Sequence, residues 1–165
     1  MNASINAENR IKKGFSLTET LVALLILGFV SVMMVTGIRL AVTQHRKVVD
    51  KANAQVLMST TIAELRTRLS NAYDVSINDN AIYYKDLGTK SNMVIKPTDR
   101  GMMIKYASQD DSKAKLLVTT EAASKNMHVE CELSREGDLI VFTNIKVMRG
   151  EDKLAELNEY CIRCW

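Results

Sequence analysis

An uncharged, strongly apolar run of nineteen residues, Thr20 to Ile38, constrains the fold of this chain more than any other feature. A helix needs about 20 such residues to cross the hydrocarbon core of a bilayer. The alternative is a buried core helix, but a chain of 165 residues could hardly surround such a segment on all sides. The run therefore predicts a membrane-spanning helix, and what remains suffices for one small domain.

The residues in front of this run do not form an ordinary secretory signal, whose apolar core has only about 7 to 15 residues. They read Lys12-Lys13-Gly14-Phe15-Ser16-Leu17-Thr18-Glu19. This is a basic pair, a glycine, an aromatic residue and a lone carboxylate at the mouth of the apolar run. The pattern resembles the class III signal of type IV pilins and of type II secretion pseudopilins.

The resemblance implies a processing event. In that family a membrane aspartate peptidase, the prepilin peptidase, cuts after the glycine on the cytoplasmic side and methylates the new amino terminus. Here the cut falls between Gly14 and Phe15, and Phe15 receives the methyl group. Glycine offers an unhindered, extended backbone to a protease, and Lys12 and Lys13 hold the leader at the anionic membrane surface. The apolar helix stays on the mature protein.

Glu19 distinguishes this segment from a generic anchor, because an ionisable group at the start of a membrane helix is costly and needs a partner. In pilins this carboxylate is thought to pair with the amino terminus of a neighbouring subunit. The resemblance therefore assigns Glu19 and the Phe15 amine to subunit assembly. The alternative is a glutamate that snorkels to the lipid headgroups.

Two features depart from the family pattern. Basic residues both precede the apolar run and follow it, so the positive-inside rule does not determine the topology and the orientation rests on the motif. Many pilins also carry a proline within the apolar helix, whereas the one proline of this chain is Pro97. Whether the helix melts on assembly is therefore left open.

The helical pattern continues beyond Ile38 to about Ala72. One apolar stripe is formed by Met58, Ile62, Leu65, Leu69 and Ala72. A second stripe, with a phase break between the two, is formed by Val42, Val49, Ala52 and Val56. This is expected if one part packs on its own domain and the other on neighbouring subunits. A coiled-coil stalk is the alternative.

The remainder of the chain is rich in short alternating runs that follow turn signals, which predicts strands. These runs are Ala81–Tyr84, Met102–Tyr106, Lys115–Thr119, His128–Leu133, Asp138–Val147 and Lys153–Ile162. The predicted fold is α+β, with a long N-terminal helix packed against a C-terminal antiparallel β-sheet, in agreement with the pilin fold. The predicted organisation is a leader at 1–14, a transmembrane and polymerisation helix at 15–38, its amphipathic continuation at 39–72 and an extracytoplasmic sheet domain at 73–165.

The chain has three cysteines, Cys131, Cys161 and Cys164. A zinc site would need a further pair of ligands, and a thioredoxin-like site would need a helix start inside a βαβ unit. A structural pair or free thiols are favoured instead. Turns near Gly137 and Gly150 would place Cys131 and Cys161 opposite Ile140 from its two sides, too far apart for a disulfide. The candidate disulfide within a subunit is Cys161–Cys164.

Catalytic and nucleic-acid-binding classes find little support. The two histidines, His45 and His128, lie in different elements, and neither a nucleophile–histidine–carboxylate pattern nor a phosphate loop is present. The first fourteen residues, with three cations and Glu8, contribute +2 of the net charge of +3. The rest of the chain is nearly neutral and therefore lacks the positive electrostatic potential that a nucleic-acid-binding protein needs. We expect neither an enzyme nor a cofactor, a bound metal or direct nucleic-acid binding.

The sequence thus predicts a structural subunit of a type IV pilus-like filament: a major or minor pilin, or a pseudopilin. Its expected partners are the prepilin peptidase, other pilin subunits, the membrane platform for pilus assembly and, before assembly, the lipid bilayer. Its expected location is the cytoplasmic membrane, with the domain outside, and then the extracellular pilus or pseudopilus. The alternative is a membrane-anchored binding domain that never polymerises, which would not require Gly14 or Glu19.

Overall fold

The computed structural model describes residues 16–119 and 126–164. The chain divides into two compact units, Met1–His45 and Arg46–Trp165. Helix α1, Leu17–Ser70, begins in the first unit and ends in the second. The leader, with Lys12, Lys13 and Gly14, lies outside the described residues, as do Phe15 and Trp165.

The first unit consists, in its described part, of the opening turns of α1. Every residue from Ser16 to His45 is exposed, including the whole apolar run. This segment is long and apolar enough to cross a membrane, and none of it is buried in the structure. The predicted long apolar helix is confirmed.

The second unit uses the rest of α1 as one wall of its core. The buried stripe differs in part from the predicted one and consists of Ala54, Leu57, Thr61, Leu65 and Leu69. Leu65 and Leu69 are confirmed, whereas Met58 and Ile62 are only half-buried. The buried face was not recognised because it contains the polar residue Thr61. The hydroxyl of Thr61 donates to the carbonyl oxygen of Leu57 at 2.7 Å, so the side chain can be buried without a hydrogen bond to water.

In the described part of the chain, eight strands follow the helix. They are β1 Ala72–Asn78, β2 Ala81–Asp86, β3 Asn92–Thr98, β4 Gly101–Tyr106, β5 Lys115–Leu116, β6 Met127–Glu136, β7 Leu139–Arg149 and β8 Asp152–Arg163. A short 3-10 helix, Asp111–Lys113, precedes β5. Strands β1 to β5 form one antiparallel sheet in chain order, and β6, β7 and β8 form a second antiparallel sheet with β7 in the middle. The predicted α+β layout is confirmed.

Two of these strands were not predicted, each for a local reason. Strand β1 starts directly after the helix and contains a bulge at Asp74, whose φ of 54° breaks the alternation of side chains. Strand β3 contains Pro97, which usually argues against a central strand. Its pairing with β2 ends at Ile95, so the missing N–H of Pro97 costs no hydrogen bond of that ladder.

The prediction of a single sheet was wrong, since the described strands form two. Strand β5, and not β6, pairs with β4, at Met103 and Ile104. Side chains connect the two sheets instead. The Asn80 amide group donates to the carbonyl oxygen of Cys131 at 3.4 Å and accepts from the N–H of Leu133 at 2.9 Å. The guanidinium of Arg135 donates to the carbonyl oxygen of Val75.

The turns at Gly137 and Gly150 were predicted correctly. Both glycines have positive φ, 61° and 60°, and stand at the first central position of two-residue hairpins. The predicted register of Cys131 was wrong. Because the first hairpin is centred on Gly137 and Asp138, Ile140 pairs with Arg135, and Cys131 lies in a bulge between Glu130 and Glu132. Cys161 pairs with Val141, one residue from the expected position.

Candidate functional site

Helix α1 begins at a well-formed amino-terminal cap. The backbone N–H of Glu19 donates to the side-chain oxygen of Ser16 at 3.3 Å and to its carbonyl oxygen at 3.0 Å. The N–H of Thr20 donates to the same carbonyl oxygen at 3.1 Å. The N–H of Glu19 is one of the groups that a helix start leaves unpaired, whereas the Thr20 bond is the first regular bond of the helix. The cap defines where the membrane helix starts.

Glu19 lies in the first turn of this helix, and its side chain is exposed. Within residues 16–119 and 126–164, no side chain forms an ion pair or hydrogen bond with its carboxylate. The positive end of the helix dipole favours a carboxylate there by about 0.3–1 kcal/mol. A charge inside a membrane helix costs about 2.5–3.5 kcal/mol, so the dipole alone does not offset burial in the bilayer. Burial of this carboxylate in a bilayer would therefore call for a partner.

The apolar part of the helix has few polar groups, and these are satisfied within the helix itself. The hydroxyls of Thr20, Ser31 and Thr36 each donate to a backbone carbonyl oxygen of the preceding turn at 2.8 Å. No hydroxyl therefore needs water inside a bilayer. A methyl group added at Gly28 or Gly37 would meet nothing within 4 Å, so both positions are open to a neighbouring helix or to lipid.

Of the residues predicted for processing and assembly, the structure places only Glu19. The basic pair Lys12–Lys13 and the cleavage residues Gly14 and Phe15 lie outside the described residues. Sequence reasoning missed Ser16. A signal for it was present, since Ser16-Leu17-Thr18-Glu19 matches the capping-box pattern of a serine followed three residues later by a glutamate.

The three cysteines are free thiols. Cys131 and Cys164 are buried, and Cys161 is exposed. Burial raises the pKa of the Cys131 thiol to about 12. The pKa of Cys161 is raised chiefly by the hydrogen bond that its thiol donates to the Glu159 carboxylate at 3.3 Å. The predicted strand order is confirmed, because β7 separates the strands that carry Cys131 and Cys161.

This arrangement predicts selective thiol chemistry in the native protein. At pH 8 we expect iodoacetamide to modify Cys161 and to leave Cys131 unmodified, because Cys161 is exposed, whereas Cys131 is buried and a pKa of about 12 keeps its thiol protonated. Replacement of Glu159 by Gln should speed modification of Cys161 by roughly two- to fivefold at the same pH. Peptide mapping by mass spectrometry without reduction measures both. A peptide linking Cys131 to Cys161 would contradict the strand order.

The described residues contain no group of three or more histidine, cysteine, aspartate or glutamate side chains placed to hold a metal ion. His128 contacts Glu130 at 3.0 Å on the three-stranded sheet, and His45 is exposed on the helix. Neither stands beside a nucleophile of the described residues in a recognisable catalytic arrangement.

The described chain has an exposed apolar helix with one carboxylate in its first turn, continued by a helical segment that packs on antiparallel sheets. Comparison with protein-family models gave a match at the start of the chain. Residues 9–35 match the prokaryotic N-terminal methylation motif. That span includes the basic pair, Gly14, Phe15 and Glu19. The chain therefore carries a prepilin-type methylation motif, which is consistent with a type IV pilin-like or pseudopilin protein. Comparisons with curated proteins and with solved structures gave no match.

Proposed function

We propose that this protein is a structural subunit of a type IV pilus-like filament, a major or minor pilin or a pseudopilin. Prepilin peptidase removes residues 1–14 and methylates Phe15, and the mature chain then polymerises through helix α1. The observation that carries this proposal is Glu19, which has no partner among the described residues and lies in the first turn of a fully exposed apolar helix, inside the matched motif.

The partner of Glu19 follows from its chemistry. Cleavage at Gly14 creates a cationic amino terminus at Phe15, four residues before Glu19 in the mature chain. A neighbouring subunit displaced along the filament brings its own amino terminus to this carboxylate. An ion pair in a medium of low dielectric offsets the cost of burying both charges, which an unpaired carboxylate cannot do.

The exposed apolar surface supports the same proposal. Val42, Val49 and Val56 recur at seven-residue spacing along α1, and all three side chains are exposed. This is the second stripe, which the domain itself does not cover. Before assembly the lipid bilayer covers the apolar residues up to Ile38, and in the filament neighbouring helices cover both segments. The protein thus moves from the cytoplasmic membrane, with its domain outside, into an extracellular pilus or pseudopilus through a membrane assembly platform.

Processing gives the direct test. Intact-mass spectrometry of protein extracted from membranes should show loss of residues 1–14 and the added mass of one methyl group. A Gly14→Val variant should retain its leader, because the branched side chain crowds the peptide bond that the peptidase must approach closely. A matched Gly28→Val variant, altered inside the apolar run, should be cut normally. Wild-type protein that keeps residues 1–14 would overturn the proposal.

A further inference from the structure

A groove in the second unit is lined by cationic side chains that take no part in the proposed assembly site. It lies between the last turn of α1 and strands β4 and β5, and its volume is about 520 Å³. That volume is typical of sites for small molecules. Four of its lining residues are basic, and no acidic residue of the described chain lines it. The basic residues are Arg68, Lys105, Lys113 and Lys115.

Two of these cations are already neutralised. Arg68 pairs with Glu64 at 2.7 Å, and Lys105 pairs with Asp111 at 2.5 Å. Lys113 and Lys115 are exposed, and within the described parts of the chain neither forms an ion pair or a side-chain hydrogen bond. The groove therefore presents two uncompensated positive charges, one from the 3-10 helix and one from β5.

The other side of the groove is apolar and ends in an aromatic ring. Met93 and Ile104 come from the paired strands β3 and β4 and lie on the same face of the sheet as Tyr106. Tyr106 pairs with Met93 across the ladder, and 46% of its surface is exposed. An exposed ring gives a ligand ring a face to pack on. A single such ring suits one ligand ring and not a run of stacked bases.

We propose that this groove binds the phosphate monoester of a small molecule that contains a ring. The ammonium groups of Lys113 and Lys115 hold the phosphate, and the ring packs on Tyr106. A phosphate monoester carries about −1.5 to −2 charges near pH 7, which matches the two uncompensated lysines. Lysine binds phosphate well as a point charge. A sugar phosphate and a mononucleotide share this chemistry, and neither requires the chain to polymerise.

Calorimetric titration of the full chain in a non-ionic detergent tests the proposal. The probes are glucose 6-phosphate, adenosine monophosphate and inorganic phosphate, with glucose and adenosine as uncharged controls. We expect at least one of the two phosphate esters to bind more tightly than inorganic phosphate, and the uncharged controls not to bind. The tighter ester identifies the source of the ligand. Absence of binding by both esters at about 10 mM, far above the range of ordinary sites, would overturn the proposal.

Paired variants locate the site. Lys113→Gln with Lys115→Gln should weaken ester binding by at least about tenfold, because two charge-assisted contacts are lost. Lys96→Gln with Lys146→Gln removes the same charge from positions outside the groove and should change affinity by less than about twofold. Equal losses in the two double variants would mean non-specific attraction and would overturn the site. Tyr106→Leu should weaken the esters and leave inorganic phosphate unchanged; equal binding of the esters by this variant would overturn the role of the ring.

Discussion

Replacement of Glu19 by Ala is expected to reduce incorporation into sheared filaments by roughly tenfold or more while cleavage at Gly14 proceeds normally. The reason is the cost of burial. The carboxylate is exposed, lies outside the core of the second unit and has no partner among the described side chains. Its removal should therefore leave the domain intact, but it deletes one half of the ion pair that we propose between subunits. A factor of ten corresponds to about 1.4 kcal/mol, and the free energy of a charge-assisted contact in a medium of low dielectric exceeds this value.

Two variants in the same turn make the result specific. Glu19→Gln keeps the shape of the side chain and removes only its charge, so it should assemble as poorly as Glu19→Ala. Thr18→Ala removes a hydroxyl that contacts only Ser16 and leaves the charge in place, so it should assemble normally. Immunoblots of sheared and membrane fractions measure the distribution. Equal incorporation of Glu19→Ala and wild type would remove Glu19 from assembly and favour the non-polymerising anchor.

Replacement of Phe142 by Ala is expected to lower the free energy of unfolding of the domain by about 3–5 kcal/mol. Phe142 is 1% exposed and stands on the central strand β7, opposite Leu133 on one side and Tyr160 on the other. It lines the same small internal space as Leu65 from the helix and Met102 from the five-stranded sheet. Truncation therefore opens a cavity where the helix and both sheets meet. The loss is a large part of the about 5–15 kcal/mol that stabilises a typical domain.

Urea titration of the detergent-solubilised chain, with protease susceptibility of the domain as the readout, measures this loss. Tyr83→Ala is the matched control, since Tyr83 is an exposed aromatic residue of the other sheet and its truncation should cost about 1 kcal/mol or less. Cleavage at Gly14 should be normal in both variants, because the motif lies in the first unit. A loss below about 1 kcal/mol for Phe142→Ala would contradict a core centred on this residue.

Several elements were predictable because their signals are local. Strands β4, β6, β7 and β8 follow from alternation bounded by turn residues, and Gly137 and Gly150 supply the positive φ that their hairpins require. Strand β3 was not predicted because it contains Pro97, which lacks an N–H group for pairing. The structure tolerates this proline because the pairing with β2 has already ended at Ile95. The register error at Cys131 arose because a small change in the centre of a hairpin shifts every pair along the ladder, and the bulge shifts them again.

The sequence by itself determined the apolar helix and the processing motif, and it carried a signal for the Ser16 cap that was missed. An uncharged run from Thr20 to Ile38 is apolar in any context, and a cap or a cleavage site is read from neighbouring residues. Only the tertiary structure decided which face of α1 is buried and that Thr61 belongs to the core. It also decided how the strands divide into two sheets. Finally, it brought Arg68, Tyr106 and Lys115 together around one groove. These features depend on contacts between residues far apart in the chain, whose free energies come from packing rather than from local propensity.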